Sequence, residues 1–280
     1  MVDAAALQVE AEANVAISHL HPATRIGHGG ESACLNRELA NEVGCAIEFD
    51  GSPYAVMMVT PADLEDFAVG FALSERIISD PGEIARTDIR YGRRGIAIDL
   101  RLKEEHSGRL AERRRAMPGQ AGCGLCGIST IDEALPELAL LSRAPVLSRS
   151  GIFAAIAGLS ASQSLNRQTG AVHAAAFCRE DGTVVALRED VGRHNAFDKV
   201  IGHLARVGDD PVQGFALLTS RCSYELVQKA VLARISALVT VSAPTELAVE
   251  IARATRLTLV ALARNDSFLV FNDPFNSIVK

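Results

Sequence analysis

The sequence predicts a three-layer α/β/α sandwich on a mixed sheet, preceded by a smaller α+β unit. Three observations point there. The second half alternates helix-type and strand-type periods in the order α-β-β-α-β-α-β-α-β-β. The first half groups four strand-like runs around a single helical run. At 280 residues, 48% of them hydrophobic, the chain can bury one large core or two modest ones.

Residues 1–30 are rich in Ala, His and Gly and read as a loosely specified segment. A small α+β domain is expected over 31–112. Within it, "GCAIEFDGSPYAVMMV" holds two strands around an Asp50-Gly51 turn. "TPADLEDFAVGFALSERII" reads as a helix with Thr60 as N-cap and Pro61 in its first position, with Leu64, Phe67, Ala68 and Phe71 facing a core. "TDIRYG" and "GIAIDLRL" add two strands. Residues 113–128, basic and then rich in Gly, read as a mobile loop between units.

The second domain, 129–280, is expected to open with a helix over "IDEALPELALL", started by a capping box of Thr130 and Glu133. "GIFAAIAGLSAS" is helical, and "AVHAAAFCR" and "TVVALRED" are strands joined by "EDG". "GRHNAFDKVIGHLARV" is a helix burying Phe197, Val200, Ile201 and Leu204. The strands "FALLTS" and "ALVTVSAP" alternate with the helices "SYELVQKAVLAR" and "TELAVEIARA". "LTLVALAR" and "SFLVFND" form a closing hairpin around Asn265-Asp266.

Composition excludes several function classes. The formal net charge is −6, and the one basic run, "AERRRAMPG", sits beside acidic "KEEH". No nucleic-acid partner is therefore expected, because phosphate binding requires clustered cations. No apolar stretch approaches the roughly 20 residues of a membrane span, and the start of the chain lacks the basic region of a secretory signal. Four of the six cysteines stand alone, which fits a reducing, cytoplasmic setting.

In a sheet of this kind ligands gather beyond the carboxyl ends of the parallel strands, at helix starts. Three polar segments fall at such junctions: "REDVGRHNA", "TSRCS" and "SAPTE". Each can be a set of caps and turns, but three together, with Arg193 and Arg221 supplying forked donors, favour a phosphorylated ligand. His194 stands at a helix entrance between Arg193 and Asn195, and His173 lies in a strand among small apolar neighbours. Asp190 can orient Arg193 or His194, or serve as a cap.

The remaining motif is "PGQAGCGLCGIST", a C-x-x-C of Cys123 and Cys126 flanked by glycines. A structural zinc needs four ligands and the other cysteines are solitary, so zinc ranks below redox exchange and sulfur carriage. The element order is also that of zinc-dependent nucleobase deaminases. Their metal and acid–base signature is missing: Ala196 stands two residues after His194, and Glu225 three after Cys222.

"CGLCG", "VHAAAF", "REDVGRHNAFDKVIG", "SYELVQKA" and "SAPTELAVEIA", in that order, resemble the FdhD/NarQ family of formate dehydrogenase accessory sulfurtransferases. "TPADLEDFAVGFALSERII" is similar to that family's N-terminal signature, and the resemblance runs from about Glu42 to the C-terminus. It implies a cytidine deaminase-like fold with the zinc lost. It also implies a persulfide carrier that takes sulfur from a cysteine desulfurase and passes it to bis-molybdopterin guanine dinucleotide, with molybdenum or tungsten, destined for formate dehydrogenase. By position, Cys123 would bear the persulfide and Cys126 assist or share it. The family's cofactor-contacting segment falls on Leu262, Ala263, Arg264, Asn265, Asp266 and Ser267, with the nucleotide phosphates near Arg193 and Arg221. A homodimer is implied by the family alone.

The chain departs from the family pattern before His173, at Ser220, and at Ala261-Leu262, where the family carries Gly-Phe. The two lost glycines would tighten backbone approach to a ligand. Competing readings are a redox or zinc protein, and a cofactor-binding chaperone that transfers no sulfur.

Overall fold

Nine-residue strands Ser18–Ile26 (β1) and Ser32–Ala40 (β2) pair antiparallel from Ser18↔Ala40 to Ile26↔Ser32, forming an exposed ribbon. In this computed structural model, which describes residues 15–106 and 135–279, the ribbon spans the boundary expected at residue 30. Composition hid it because the ladder's backbone bonds, rather than buried side chains, hold the two strands together. The ribbon reaches the second half of the chain through Arg37, whose Nη2 donates to Thr169 O at 3.0 Å.

Val43–Phe49 (β3) and Ser52–Val59 (β4) form the expected hairpin. Phe49 pairs with Ser52, so Asp50 and Gly51 alone make the turn, at φ 50° and 73°. Two left-handed residues suit the twist of a two-residue hairpin, and Asp-Gly tolerates them. Ile84–Gly92 (β5) and Gly95–Leu102 (β6) complete a four-stranded sheet in the order β4-β3-β6-β5, with β3 and β6 parallel.

Helix Leu64–Ser74 (α1) buries Leu64, Phe67, Ala68 and Phe71 on that sheet. It starts at Leu64, four residues after the Thr60 expected to cap it, with Asp63 in the left-handed N-cap position at φ 52°. Thr60 is otherwise engaged: its N–H donates to Asp190 Oδ2 at 3.0 Å and its hydroxyl accepts from Val191 N at 3.1 Å.

The expected helix over "IDEALPELALL" does not appear among its described residues, since 135–146 carry no helix. Pro136 lacks the N–H a helix interior needs. The segment instead runs without helix or strand, with Leu138 and Leu141 on the core and Leu141 N bonded to Thr255 O at 2.9 Å. Thr130, Glu133 and the whole of 113–128 lie outside the described residues.

After the short strand Leu147–Ser148 (β7) come helices Arg149–Ser162 (α2) and Ser164–Thr169 (α3). Strands His173–Arg179 (β8) and Val184–Asp190 (β9) follow, then helix Arg193–Val207 (α4). Gly214–Leu218 (β10), Tyr224–Leu232 (α5), Ala237–Thr240 (β11), Glu246–Thr255 (α6) and Thr258–Ala261 (β12) continue the alternation. Leu269–Asn272 (β13) closes the hairpin, and Ile278–Val279 (β14) pairs with β7. The main sheet runs β13-β12-β11-β10-β8-β9, parallel through β10, β11 and β12 and antiparallel elsewhere.

Side-chain alternation gives this sheet two buried faces. Ala175, Phe177, Ala216, Leu218, Leu238 and Leu259 meet α4, α5 and α6. Ala174, Ala176, Cys178, Phe215, Leu217, Val239 and Val260 meet Ile152, Ala155, Ile156 and Leu159 of α2. The result is the mixed, three-layer arrangement that the sequence predicts.

Candidate functional site

Strand direction assembles the site. β10, β11 and β12 are parallel, and β8 is antiparallel to β10, so the start of β8 lies with their carboxyl ends. The end of β9 joins them, because His173 pairs with Asp190. One rim therefore collects His173, the turn from Asp190 to His194, the "TSRCS" and "SAPTE" loops, and Leu262 to Ser267. From β8 to β12 is three strand spacings, roughly 14 Å at the usual ~4.8 Å each, so the rim suits an elongated ligand.

Short hydrogen bonds stitch the rim loops together. Thr219 accepts from Ala174 N through its hydroxyl at 2.9 Å and donates its own N–H to Ala174 O at 3.1 Å. Cys222 N reaches Ala243 O at 3.2 Å, and Thr245 N reaches Cys222 O at 2.9 Å. Leu262 N meets Ser242 O at 3.3 Å, and Ala263 N meets Thr240 O at 3.1 Å. Arg264 donates its guanidinium to Val241 O, while its N–H closes the turn on Ser267 O at 2.7 Å. Asn265, Asp266 and Ser267 are exposed at the tip, and Leu262 is held left-handed at φ 52°.

Two helices open on this rim without a side-chain cap. Gly192 precedes α4 and Ser223 precedes α5, and neither supplies a capping bond. First-turn N–H groups and the helix dipole thus favour an anion. Two buried atoms beside them, His194 Nε2 and Ser223 Oγ, have no hydrogen-bond partner among the described residues. A buried polar atom without a partner costs free energy unless a ligand or water completes it.

Charge completes the picture. Burial pushes His194 down to about 4, helped by Lys229 and then Arg193 and opposed by Glu225. His173 is lowered by burial and then by Arg193. Both imidazoles are consequently neutral near pH 7, and Arg193 is the charge that links them. Arg221 is exposed on the β10–α5 loop of the same rim, with no contact to either histidine shown. The sequence-predicted residues His173, Arg193, His194, Arg221 and Leu262 to Ser267 thus share one edge of the sheet, while Cys123 and Cys126 lie outside the described residues.

The order of these loops is also a signature. The FdhD/NarQ family model matches residues 40–278, nearly all of the described chain. The chain belongs to the FdhD/NarQ family. Curated FdhD/NarQ relatives include the sulfur carrier protein FdhD of Xanthomonas campestris pv. campestris (strain B100), 43% identical over 88% of each chain. That of Variovorax paradoxus (strain S110) is 44% identical over 86% of this chain and 87% of its own. That of Bordetella bronchiseptica is 41% identical over 87% and 88%. Among solved structures, a candidate formate dehydrogenase accessory protein from Desulfotalea psychrophila superposes with a TM-score of 0.75. It is 26% identical, over 94% of this chain and all of that one.

Reading the FdhD/NarQ sequence alone misses the residues that support the site. Lys229 of α5 pairs with the fully buried Asp198 of α4 at 2.7 Å, and its charge is the largest acting on His194. Met58 and Thr60, at the end of β4, bond to the Asp190–Asn195 turn. Only an apolar stretch containing Asp198 and Lys199, charged residues at positions a core should fill, hinted at such partners.

Proposed function

We propose that this protein is a sulfur carrier that serves formate dehydrogenase maturation in the cytoplasm. Its cargo acceptor is bis-molybdopterin guanine dinucleotide carrying molybdenum or tungsten. The observation that carries this reading is identity above 40%, over nearly the whole chain, to curated sulfur carrier proteins.

The chemistry fits the cysteine inventory. Cys45, Cys178 and Cys222 are buried thiols pushed up to about 12, which leaves them inert as nucleophiles. Cys34 is exposed but solitary. In the proposed cycle Cys123 thiolate attacks the outer sulfur of a cysteine desulfurase persulfide. That S–S bond breaks, the desulfurase thiolate leaves, and Cys123 holds the new persulfide. Attack by Cys126 thiolate on Cys123 Sγ then expels hydrosulfide toward the metal and leaves a Cys123–Cys126 disulfide, which a cellular dithiol reduces.

The rim supports the acceptor half of the reading. Uncapped starts of α4 and α5, with Arg193 and Arg221, offer donors to the nucleotide phosphates. Neutral His194 and His173 offer acceptors, and Leu262 to Ser267 bound the far end. A deaminase-type zinc does not suit this donor set, because Cys222 is a buried thiol and Ala196 replaces the required glutamate. The fold is thus proposed as deaminase-like with that metal lost, and the protein as a homodimer.

Intact-mass measurement after incubation with a cysteine desulfurase and cysteine tests the carrier step. Wild type should gain sulfur, and Cys123→Ala/Cys126→Ala should not; equal gain in both would sink the assignment. The same double variant should fail to support formate dehydrogenase maturation in cells. Support from that variant would make the protein a cofactor-binding chaperone instead.

A further inference from the structure

The turn that presents Arg193 and His194 is held partly from outside its own unit. Asp190 ends β9, and its Oδ1 accepts from Gly192 N at 2.8 Å and Asn195 Nδ2 at 3.0 Å. Its Oδ2 accepts from Thr60 N at 3.0 Å and faces Lys199 Nζ at 2.7 Å. Lys199 spends its other donors on Thr60 O at 3.0 Å and Glu189 O at 3.4 Å. Thr60 also takes Val191 N on its hydroxyl at 3.1 Å, and Asn195 Nδ2 reaches Met58 O at 2.8 Å. Every polar atom of Thr60 therefore engages β9, the turn or α4.

Stability alone does not explain this arrangement. Lys199 and Asp190 are both 0% exposed. A buried ion pair recovers its desolvation cost only with good geometry and full hydrogen bonding, and a packed apolar pair of similar volume is often as stable or more so. What the charged pair adds is direction: it ties one carboxylate to donors on β4, the turn and α4 at once. Gly192 leaves room for this, since a Cβ there would lie 2.7 Å from Asn195 Nδ2.

We propose that Lys199 is a positioning residue for the rim site. By pairing with Asp190 and holding Thr60 it fixes the turn that aims Arg193 and His194, which makes the end of β4 part of the site. Ligand at the rim and the docking of the first unit are then coupled. Thr60, far away in sequence, becomes a determinant of how the histidine is presented. The nucleotide arm of the test below rests on the function proposed above; the imidazole arm does not.

The test uses the full-length protein with ring-labelled histidine, as wild type, Lys199→Met, Lys199→Gln, Thr60→Ala and Arg206→Met. NMR titration reads the His194 ring, which faces Lys229 and Glu225 of α5, Arg193 of α4 and His173 of β8. Calorimetry reads the affinity for guanosine diphosphate. In wild type the ring should titrate near 4. In Lys199→Met, Lys199→Gln and Thr60→Ala it should move up by roughly one pH unit or more as the turn loosens and water enters. Affinity for the nucleotide should fall about tenfold or more.

Arg206→Met removes ion pairs to Glu65 and Asp66 elsewhere on the α1–α4 contact. It should lower the melting temperature while leaving both readouts at the wild-type values. Should Lys199→Met fail to fold, Lys199→Gln decides, because it removes the charge paired with Asp190 and keeps an N–H donor on the side chain. An unshifted His194 titration in folded Lys199→Met or Lys199→Gln overturns the proposal, and one in folded Thr60→Ala removes the Thr60 hydroxyl from it. A shifted titration in a protein that binds no guanosine diphosphate leaves the positioning role standing and removes the nucleotide reading.

Discussion

Gly70 of α1 and Gly202 of α4 bring their helices into backbone contact across the boundary between the two halves of the chain. A Cβ on Gly70 would lie 1.8 Å from Asp198 O, and one on Gly202 would lie 1.8 Å from Asp66 O. Backbone cannot yield as a side-chain tip does, so Ala at either position must force the helices apart. Gly202→Ala is expected to cost about 1–3 kcal/mol or more, the range for overpacking a tight contact. Urea unfolding monitored by far-ultraviolet circular dichroism measures it. An unchanged midpoint would show that the two halves are not packed as described.

His194 makes stability depend on pH in a definite direction. Its folded form titrates near 4, below the ordinary 6.5. Between those values the unfolded chain binds a proton that the folded chain refuses, so stability falls as pH drops from about 6.5 to about 4. The full effect approaches about 3 kcal/mol, at roughly 1.4 kcal/mol per unit of displacement. Replacing His194 with Phe should flatten the slope of the urea midpoint across this window. A slope as steep as wild type would assign the effect to other groups.

Lys229→Met strands the Asp198 carboxylate, to which Ser74 Oγ, among the described side chains, still donates at 2.7 Å. Burial already raises Asp198 above the usual carboxylate range, and Lys229 is the strongest influence opposing that rise. Removing one partner of a buried pair costs about 3–5 kcal/mol. The deficit should be largest at pH 8. It should narrow toward pH 5.5, because folded Asp198 takes up a proton that the unfolded group does not. His194, freed of the Lys229 charge, shifts the comparison the same way. A deficit independent of pH would contradict the pairing.

Thiol labelling tests the buried cysteines. Native protein treated with iodoacetamide should modify Cys34 readily and spare Cys45, Cys178 and Cys222, whose thiols burial pushes up to about 12. All four should react in urea. Peptide mass mapping distinguishes them, and native labelling of Cys222 at the Cys34 rate would remove the argument that it is inert.

Local patterns carried much of this fold. Asp50-Gly51 announced its hairpin because only a few residues accept two left-handed positions in succession. Phe197, Val200, Ile201 and Leu204 announced α4 because helical spacing places them on one stripe. The same logic misled at two places. Thr60 and Pro61 have the composition of a helix start, yet the helix waits until Leu64 because Thr60 is bonded to β9 and the turn after it. "IDEALPELALL" has the spacing of a helix, yet Pro136 and the pull of the core on Leu138 and Leu141 keep its described part out of a helix.

Apart from Leu262 to Ser267, which the FdhD/NarQ resemblance supplied, the sequence by itself determined the alternation of layers and the polar loops after apolar strands. Those follow from periodicity and chain direction, which are local properties. Tertiary structure alone decided that His194 is neutral, that its Nε2 has no partner among the described residues, and that Thr60 belongs to the site. The first rests on burial and on a lysine 35 residues further on, and the last on a carboxylate 130 residues away. Charge and hydrogen bonding act through space, and the chain had to fold before these groups could meet.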